Sequence, residues 1–271
     1  MEYVKYDNTD ITSDIKQPND NLLINSDFKS GIINQKGQTS YTCGFNQRLY
    51  TIDSWFVNYE NNTVTVNTGY INVNLKSKGS KGFGQVVSNI NKNNLKYLTA
   101  AIKFKDQELK IIKIDTTILN IGVDYFFDII SGFKLGIYFW TDDTNNAWFY
   151  IQGNGSFNLE YIKLEEGDQF TGMPIWDKSI ELLKCKKYFI AINNIRVALK
   201  GHIGQTFAMS FPLPVLMDKT PSVSVVSTSG SYFINTINSW VDLQILQMTW
   251  ICDNDNMFNF NVTVHLDAYW Y

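Results

Sequence analysis

Apolar and polar residues alternate along most of this chain in short runs broken by turn formers. In TVTVNTG, Val64 and Val66 share one face, and in YINVNL so do Ile71, Val73 and Leu75. Period-two alternation with turn residues between runs predicts antiparallel strands joined by hairpins. Gly79, Gly82 and Gly84 interrupt the pattern around Phe83 and predict a loop or a bulged strand. Longer runs follow in LKYLTAAIKFK, LKIIKIDTTIL, FKLGIYFW, AWFYIQG and SFNLEYIKLEEG. In the last run Phe258, Phe260, Val262, Val264, Leu266 and Ala268 point one way. Asn259, Asn261, Thr263, His265 and Asp267 point the other, so one face is buried and one is wet.

One segment breaks the period. Residues 177–189 predict a helix: Asp177 is a suitable N-cap, and Glu181 lies near the positive end of the helix dipole. Leu182, Cys185 and Phe189 make an apolar stripe, and Lys184, Lys186 and Lys187 lie towards the negative end. The predicted fold class is therefore all-β, with two antiparallel, jelly-roll-like β-sandwich domains joined by a short α-helix. Residues 1–20 form an N-terminal arm, 21–172 a first sandwich, 173–190 the linker helix and 191–271 a C-terminal sandwich.

Length and charge narrow the function. A chain of 271 residues favours two domains, and 44% hydrophobic content supplies material for both cores. The formal net charge is −3 and arginine occurs only at 48 and 196, so no basic stripe for a nucleic acid is present. No apolar run reaches the roughly 18 residues of a membrane span, and the polar first residues lack the apolar core of a signal peptide. Three cysteines, Cys43, Cys185 and Cys252, are odd in number and far apart, which predicts free thiols formed in a reducing cytoplasm. The sequons at Asn61, Asn154 and Asn261 are then chance occurrences.

The stretch LEYIKLEEGDQFTGMP followed by SIELLKCKKYF resembles the junction in tail-fibre and receptor-binding proteins of bacteriophages and prophages. There, a carbohydrate-binding-module-like jelly roll leads through a helix into a C-terminal β-domain. NLLINSDFKSGIINQKGQTSY with YTIDSW resembles the start of that jelly roll, and GQTFAMSFPLPVLMDKTPSVSV with FNFNVTVHLDAYWY resembles the C-terminal domain. The resemblance covers about residues 21–271 and is one of structural pattern more than of chemistry. It implies a homotrimeric virion protein that contacts other tail proteins and binds bacterial surface glycan. It also implies a structural calcium, with oxygens from Ser26, Asp27 and Asn158 or Glu160, although the family usually has an acidic residue where this chain has Asn158.

Aromatic faces that stack on sugar rings, with amides and carboxylates around them, are the chemistry of glycan binding. The hairpin over residues 133–152 offers the sharpest candidate. Its core set is Phe133, Leu135, Ile137 and Phe139 on one strand and Ala147, Phe149 and Ile151 on the other. That leaves Tyr138, Trp140, Trp148 and Tyr150, with Gln152, on the opposite face, and Asp142 and Asn145 in the turn beside them. The competing reading is that both faces are buried or that these aromatics meet a neighbouring subunit. Trp55 reads as core, while Tyr232, Trp240 and Trp250 read as receptor contacts or as interface and core residues.

Catalytic readings are poorer. Asp142-Asp143, Glu165-Glu166 and Asp253/Asp255 are near-adjacent pairs in predicted turns, where turn chemistry accounts for them. His202 and His265 have no metal-ligand spacing, and no nucleophile context accompanies His265 and Asp267. The sequence thus points to a non-catalytic glycan-binding tail protein of the virion. A polysaccharide-degrading enzyme or its accessory binding module is one alternative, and a purely structural tail protein is another.

Overall fold

The computed structural model describes residues 20–269 apart from 46, 77–80, 89, 91, 143–144, 232–233, 242–244 and 253–256. The expected arm over residues 1–20, the candidate Tyr232 and the Asp253/Asp255 turn therefore lie, Asp20 excepted, outside the described residues. Within them the protein is all-β with antiparallel sheets, and its one α-helix is α1 (Lys178–Lys186).

The first unit is two six-stranded sheets. One runs β1 (Ser40–Thr42), β4 (Thr63–Asn67), β5 (Tyr70–Leu75), β12 (Gly155–Glu166), β7 (Tyr97–Phe104), β8 (Leu109–Asp115). The other runs β2 (Arg48–Tyr50), β3 (Phe56–Asn58), β6 (Phe83–Ser88), β11 (Asn146–Gly153), β10 (Phe133–Phe139), β9 (Asp124–Ile130). Alternate residues of both sheets meet in one core: Val64, Ile71, Val73, Leu75, Ile102 and Leu164 from the first, Phe83, Leu135, Ile137, Phe139, Phe149 and Ile151 from the second. Burial of these faces is the main stabilising term, since each fully buried aliphatic or aromatic side chain contributes about 1.5–3 kcal/mol. Trp55, as expected, is core: its ring stacks on Phe83 at 4.7 Å.

The second unit is two three-stranded sheets, β13 (Phe189–Lys200), β18 (Met257–Asp267), β15 (Ser222–Ser231) and β14 (Thr206–Pro212), β17 (Ile245–Cys252), β16 (Ile234–Val241). Its core joins Ile190 and Val197 of β13, Val262, Val264 and Leu266 of β18, and Leu246 and Met248 of β17. Phe207 and Phe211 pack half-buried against this core.

Asp177 caps α1, its Oδ1 accepting from the backbone N–H of Ser179 (2.8 Å) and Ile180 (3.0 Å). The helix stops three residues before the expected end. Phe189 pairs with Asp267 in the β13–β18 ladder, so it belongs to a strand and not to the helix stripe. Glu181 Oε2 accepts from Asn25 N–H at 2.8 Å and ties the helix to the first sandwich.

The two units meet around Tyr269. Its ring stacks on Tyr50 at 3.9 Å, with Phe189 and Tyr188 parallel to it beyond, and Ser54 N–H donates to its hydroxyl at 2.9 Å. Gln35 bridges the joint, donating through Nε2 both to Asp53 Oδ2 (2.7 Å) and to the Phe189 carbonyl (2.8 Å). Asp53 is fully buried there. Burial pushes its carboxyl from 3.8 up to about 6, against the downward pull of the Gln35 hydrogen bonds and of the Lys36 charge. A carboxyl whose pKa is higher folded than unfolded binds its proton more tightly in the native state. Asp53 therefore favours folding below about pH 4, and that contribution is lost as pH rises through about 6. Asp53→Asn is expected to gain stability relative to the unmodified chain between those two values. Thermal melts of both proteins across that range measure it, and a pH-independent difference would contradict the assignment.

Candidate binding site

The outward face of the second sheet carries the expected aromatics, and strand register sets who meets whom. One row across the sheet reads Asp124, Tyr138, Trp148, Val86 from β9 through β10 and β11 to β6. The next reads Phe126, Gly136, Tyr150, Gly84, Phe56, Tyr50 from β9 to β2. The predicted partition of the hairpin is observed: Phe133, Leu135, Ile137, Phe139, Ala147, Phe149 and Ile151 face the core and the other set faces out.

Facing out is not the same as being open. Tyr150 is only 1% exposed. Its ring lies across the strands above Gly136, where a Cβ would come within 2.3 Å of the ring, and its Cβ abuts Gly84, where a Cβ would come within 2.5 Å. So placed, its hydroxyl donates to Asp124 Oδ1 at 2.6 Å. Burial, then the Asp124 carboxylate, push the phenol far above its ordinary pKa, so it stays a donor.

Tyr138 and Trp148 are half-buried neighbours, their centroids 5.6 Å apart, and Trp140 meets Trp148 edge-on at 6.0 Å. Lys81 fills the wedge between the first two. Its Nζ lies 3.6 Å from the Trp148 centroid and 3.8 Å from that of Tyr138, with Asp124 at 3.5 Å. Arg48 approaches the same indole at 4.7 Å and Phe56 at 5.1 Å, while its Nε donates to Asn58 Oδ1 at 3.2 Å. Desolvation lowers the Lys81 pKa; Asp124 raises it and the Arg48 charge lowers it further. Trp148 is thus a platform for cations, not the bare stacking surface that the alternation suggested.

Beside these groups lies a cleft of about 290 Å³ lined by Arg48, Lys81, Asp124, Trp148 and Tyr150, with Asn58, Tyr59, Phe126 and Gln152. The exposed rings at this cleft are Tyr59 (47%) and Phe126 (44%). Tyr59 sits in the left-handed region at φ 72°, uncommon for an aromatic residue and associated with local strain. Of the residues read from sequence, Trp148, Tyr150 and Gln152 line the cleft, Tyr138 supports it through Lys81, and Trp140 does not line it. Asp142 and Asn145 are exposed in the turn and do not line it.

Arg48, Lys81, Asp124, Phe126 and Tyr59 escaped the sequence reading. Asp124 and Phe126 were recoverable, because Asp124, Phe126 and Asp128 alternate with Tyr125, Phe127 and Ile129. Arg48 sits on a strand of three residues, too short for any period to show.

The other candidates disperse. Glu165 is not in a turn: it is buried in β12 and paired with Lys163 at 2.9 Å. His265 packs edge-on against Phe189 at 5.0 Å, with burial lowering its pKa, and Asp267 Oδ1 accepts from Tyr269 N–H. Trp240 and Trp250 lie on the adjacent strands β16 and β17. At the site the resemblance implies for calcium, Glu160 pairs with Lys29 at 3.2 Å, Asn158 Oδ1 accepts from Asn72, and Asp27 Oδ1 accepts from Ser30 N–H. These oxygens serve protein donors, and among the described residues no three His, Cys, Asp or Glu converge as a metal group. No described helix is long and apolar enough to cross a membrane.

Fold and face together define an all-β, antiparallel protein with an aromatic cleft that carries cations on one sheet. Comparison with family models, with curated proteins and with solved structures gives no match.

Proposed function

We propose that this protein is a non-catalytic receptor-binding component of a phage or prophage tail, a homotrimer that attaches to bacterial cell-surface carbohydrate through the outer face of its first sandwich. The observation that supports it is the cleft itself. Exposed Tyr59 and Phe126 flank Asn58, Gln152, Asp124 and the two cations, a mixture of ring faces and hydrogen-bonding groups that suits a sugar. Assembly adds to weak single-site affinity, because linked sites multiply avidity. Exposed Leu216 (55%), Val225 and Val226 of the second unit are apolar area that neighbouring copies would cover.

The test is adsorption to host cells by the double variant Tyr59→Ala/Phe126→Ala. At about 1 kcal/mol per ring contact, the folded variant is expected to lose roughly tenfold or more in affinity. Undiminished adsorption would remove the cleft from the function. Light scattering is expected to give a trimeric mass, and a stable monomer at micromolar concentration would count against the assembly. Release of reducing sugar from capsule or wall polysaccharide would move the reading to an enzyme.

A further inference from the structure

The sign of the charge in the cleft, more than its aromatic area, decides what it holds. Arg48 reaches it from β2 and Lys81 from the segment entering β6, while among the lining residues Asp124 is the one carboxylate. Asp124 is already engaged, accepting the Tyr150 hydroxyl at 2.6 Å and standing 3.5 Å from Lys81 Nζ. Both cations rest on rings: Lys81 on Trp148 and Tyr138, Arg48 on Trp148 and Phe56. An aromatic face attracts a cation without neutralising it, so two cations against one carboxylate leave the lining of the cleft net positive. Arg48 and Lys81 both approach the Trp148 ring, and an anion placed near both would relieve their mutual repulsion.

A neutral sugar stacking on Trp148 would have to displace Lys81 or Arg48. An anionic group has no such cost, because it can approach both cations while they stay on their rings. On the carbohydrate reading above, we infer that the ligand of this cleft is an acidic saccharide, its carboxylate or phosphate held by Arg48 and Lys81 and its ring against Tyr59 and Phe126. Uronate-bearing polysaccharide and sugar-phosphate polymer share this chemistry, and separate arms of one experiment tell them apart.

Calorimetric titration of the full chain uses oligogalacturonate, its neutral methyl ester and a hexose-phosphate-linked oligosaccharide. At least one anionic probe is expected to bind, and the tighter of the two names the source. If it is the uronate, it should bind about tenfold or more tightly than its ester. Affinity for the anionic probe should fall as salt rises from about 0.05 to 0.5 M, since screening weakens charge pairing at an open cleft. Arg48→Gln and Lys81→Met should each weaken the anion about tenfold, while Arg48→Lys, which keeps the charge, should retain more of the affinity than Arg48→Gln. The salt and ester arms use the unmodified chain and stand even where a variant folds poorly. Binding of the neutral ester as tight as that of the better anionic probe, or no binding of either anionic probe, overturns the acidic-saccharide assignment. Neither result touches the carbohydrate reading, which the adsorption of Tyr59→Ala/Phe126→Ala decides separately.

Discussion

Trp55→Ala is expected to cost about 3–5 kcal/mol of stability, the range for deleting a fully buried large aromatic. The ring is 1% exposed, stacks on Phe83 and meets Phe28 edge-to-face at 5.6 Å. Its indole N–H donates to the carbonyls of Ile24 (3.0 Å) and Asn25 (2.9 Å). Alanine therefore leaves a cavity between the sheets and takes a donor away from the segment before β1. Trp55→Phe, which keeps most of the ring and loses the N–H, should cost clearly less. Urea unfolding followed by circular dichroism measures both. A loss below about 1 kcal/mol for the alanine variant would contradict the core placement.

Lys163→Ala is expected to be equally damaging, for an electrostatic reason. Lys163 and Glu165 are neighbours on the outer face of β12, both side chains wholly buried, with Nζ 2.9 Å from Oε2. Lys163 also donates to Thr171 Oγ1 (3.0 Å) and to the Gly172 carbonyl (2.6 Å), and Thr171 N–H donates to Glu165 Oε1 at 3.0 Å. The pair thus pins residues 171–172, just before the linker, onto the sheet. Removing one partner strands a buried charge, at a cost of about 3–5 kcal/mol. Lys163→Met/Glu165→Leu, which removes both charges, should recover most of that loss. Urea unfolding of the single and double variants decides it: a double variant as unstable as the single would show that the hydrogen bonds to the loop matter more than the charge.

Much of the fold was legible because strand alternation is local. Val64, Ile71, Val73, Leu75 and the inward set of the 133–152 hairpin are buried as the period requires, and Asp177 caps the helix through its own oxygen. Phe189 was misplaced because helical spacing and strand membership compete there. Pairing with Asp267, 78 positions away, resolves it in favour of the strand. Glu165 was misread for a similar reason: a Glu-Glu-Gly sequence looks like a turn until a lysine two residues earlier is found buried against it.

The sequence by itself determined which side chains leave the core, because a pleated strand sends successive residues to opposite faces whatever its neighbours are. That was enough to pick Tyr138, Trp140, Trp148 and Tyr150. Whether those rings stand open was decided by the tertiary structure. The order β2-β3-β6-β11-β10-β9 brings Arg48 and Lys81 onto Trp148, Asp124 to the Tyr150 hydroxyl, Gly136 beneath its ring and Gly84 against its Cβ. Apart from Gly136, which shares the hairpin with Tyr150, these contacts come from other strands, and pairing between separate strands leaves no local period to read.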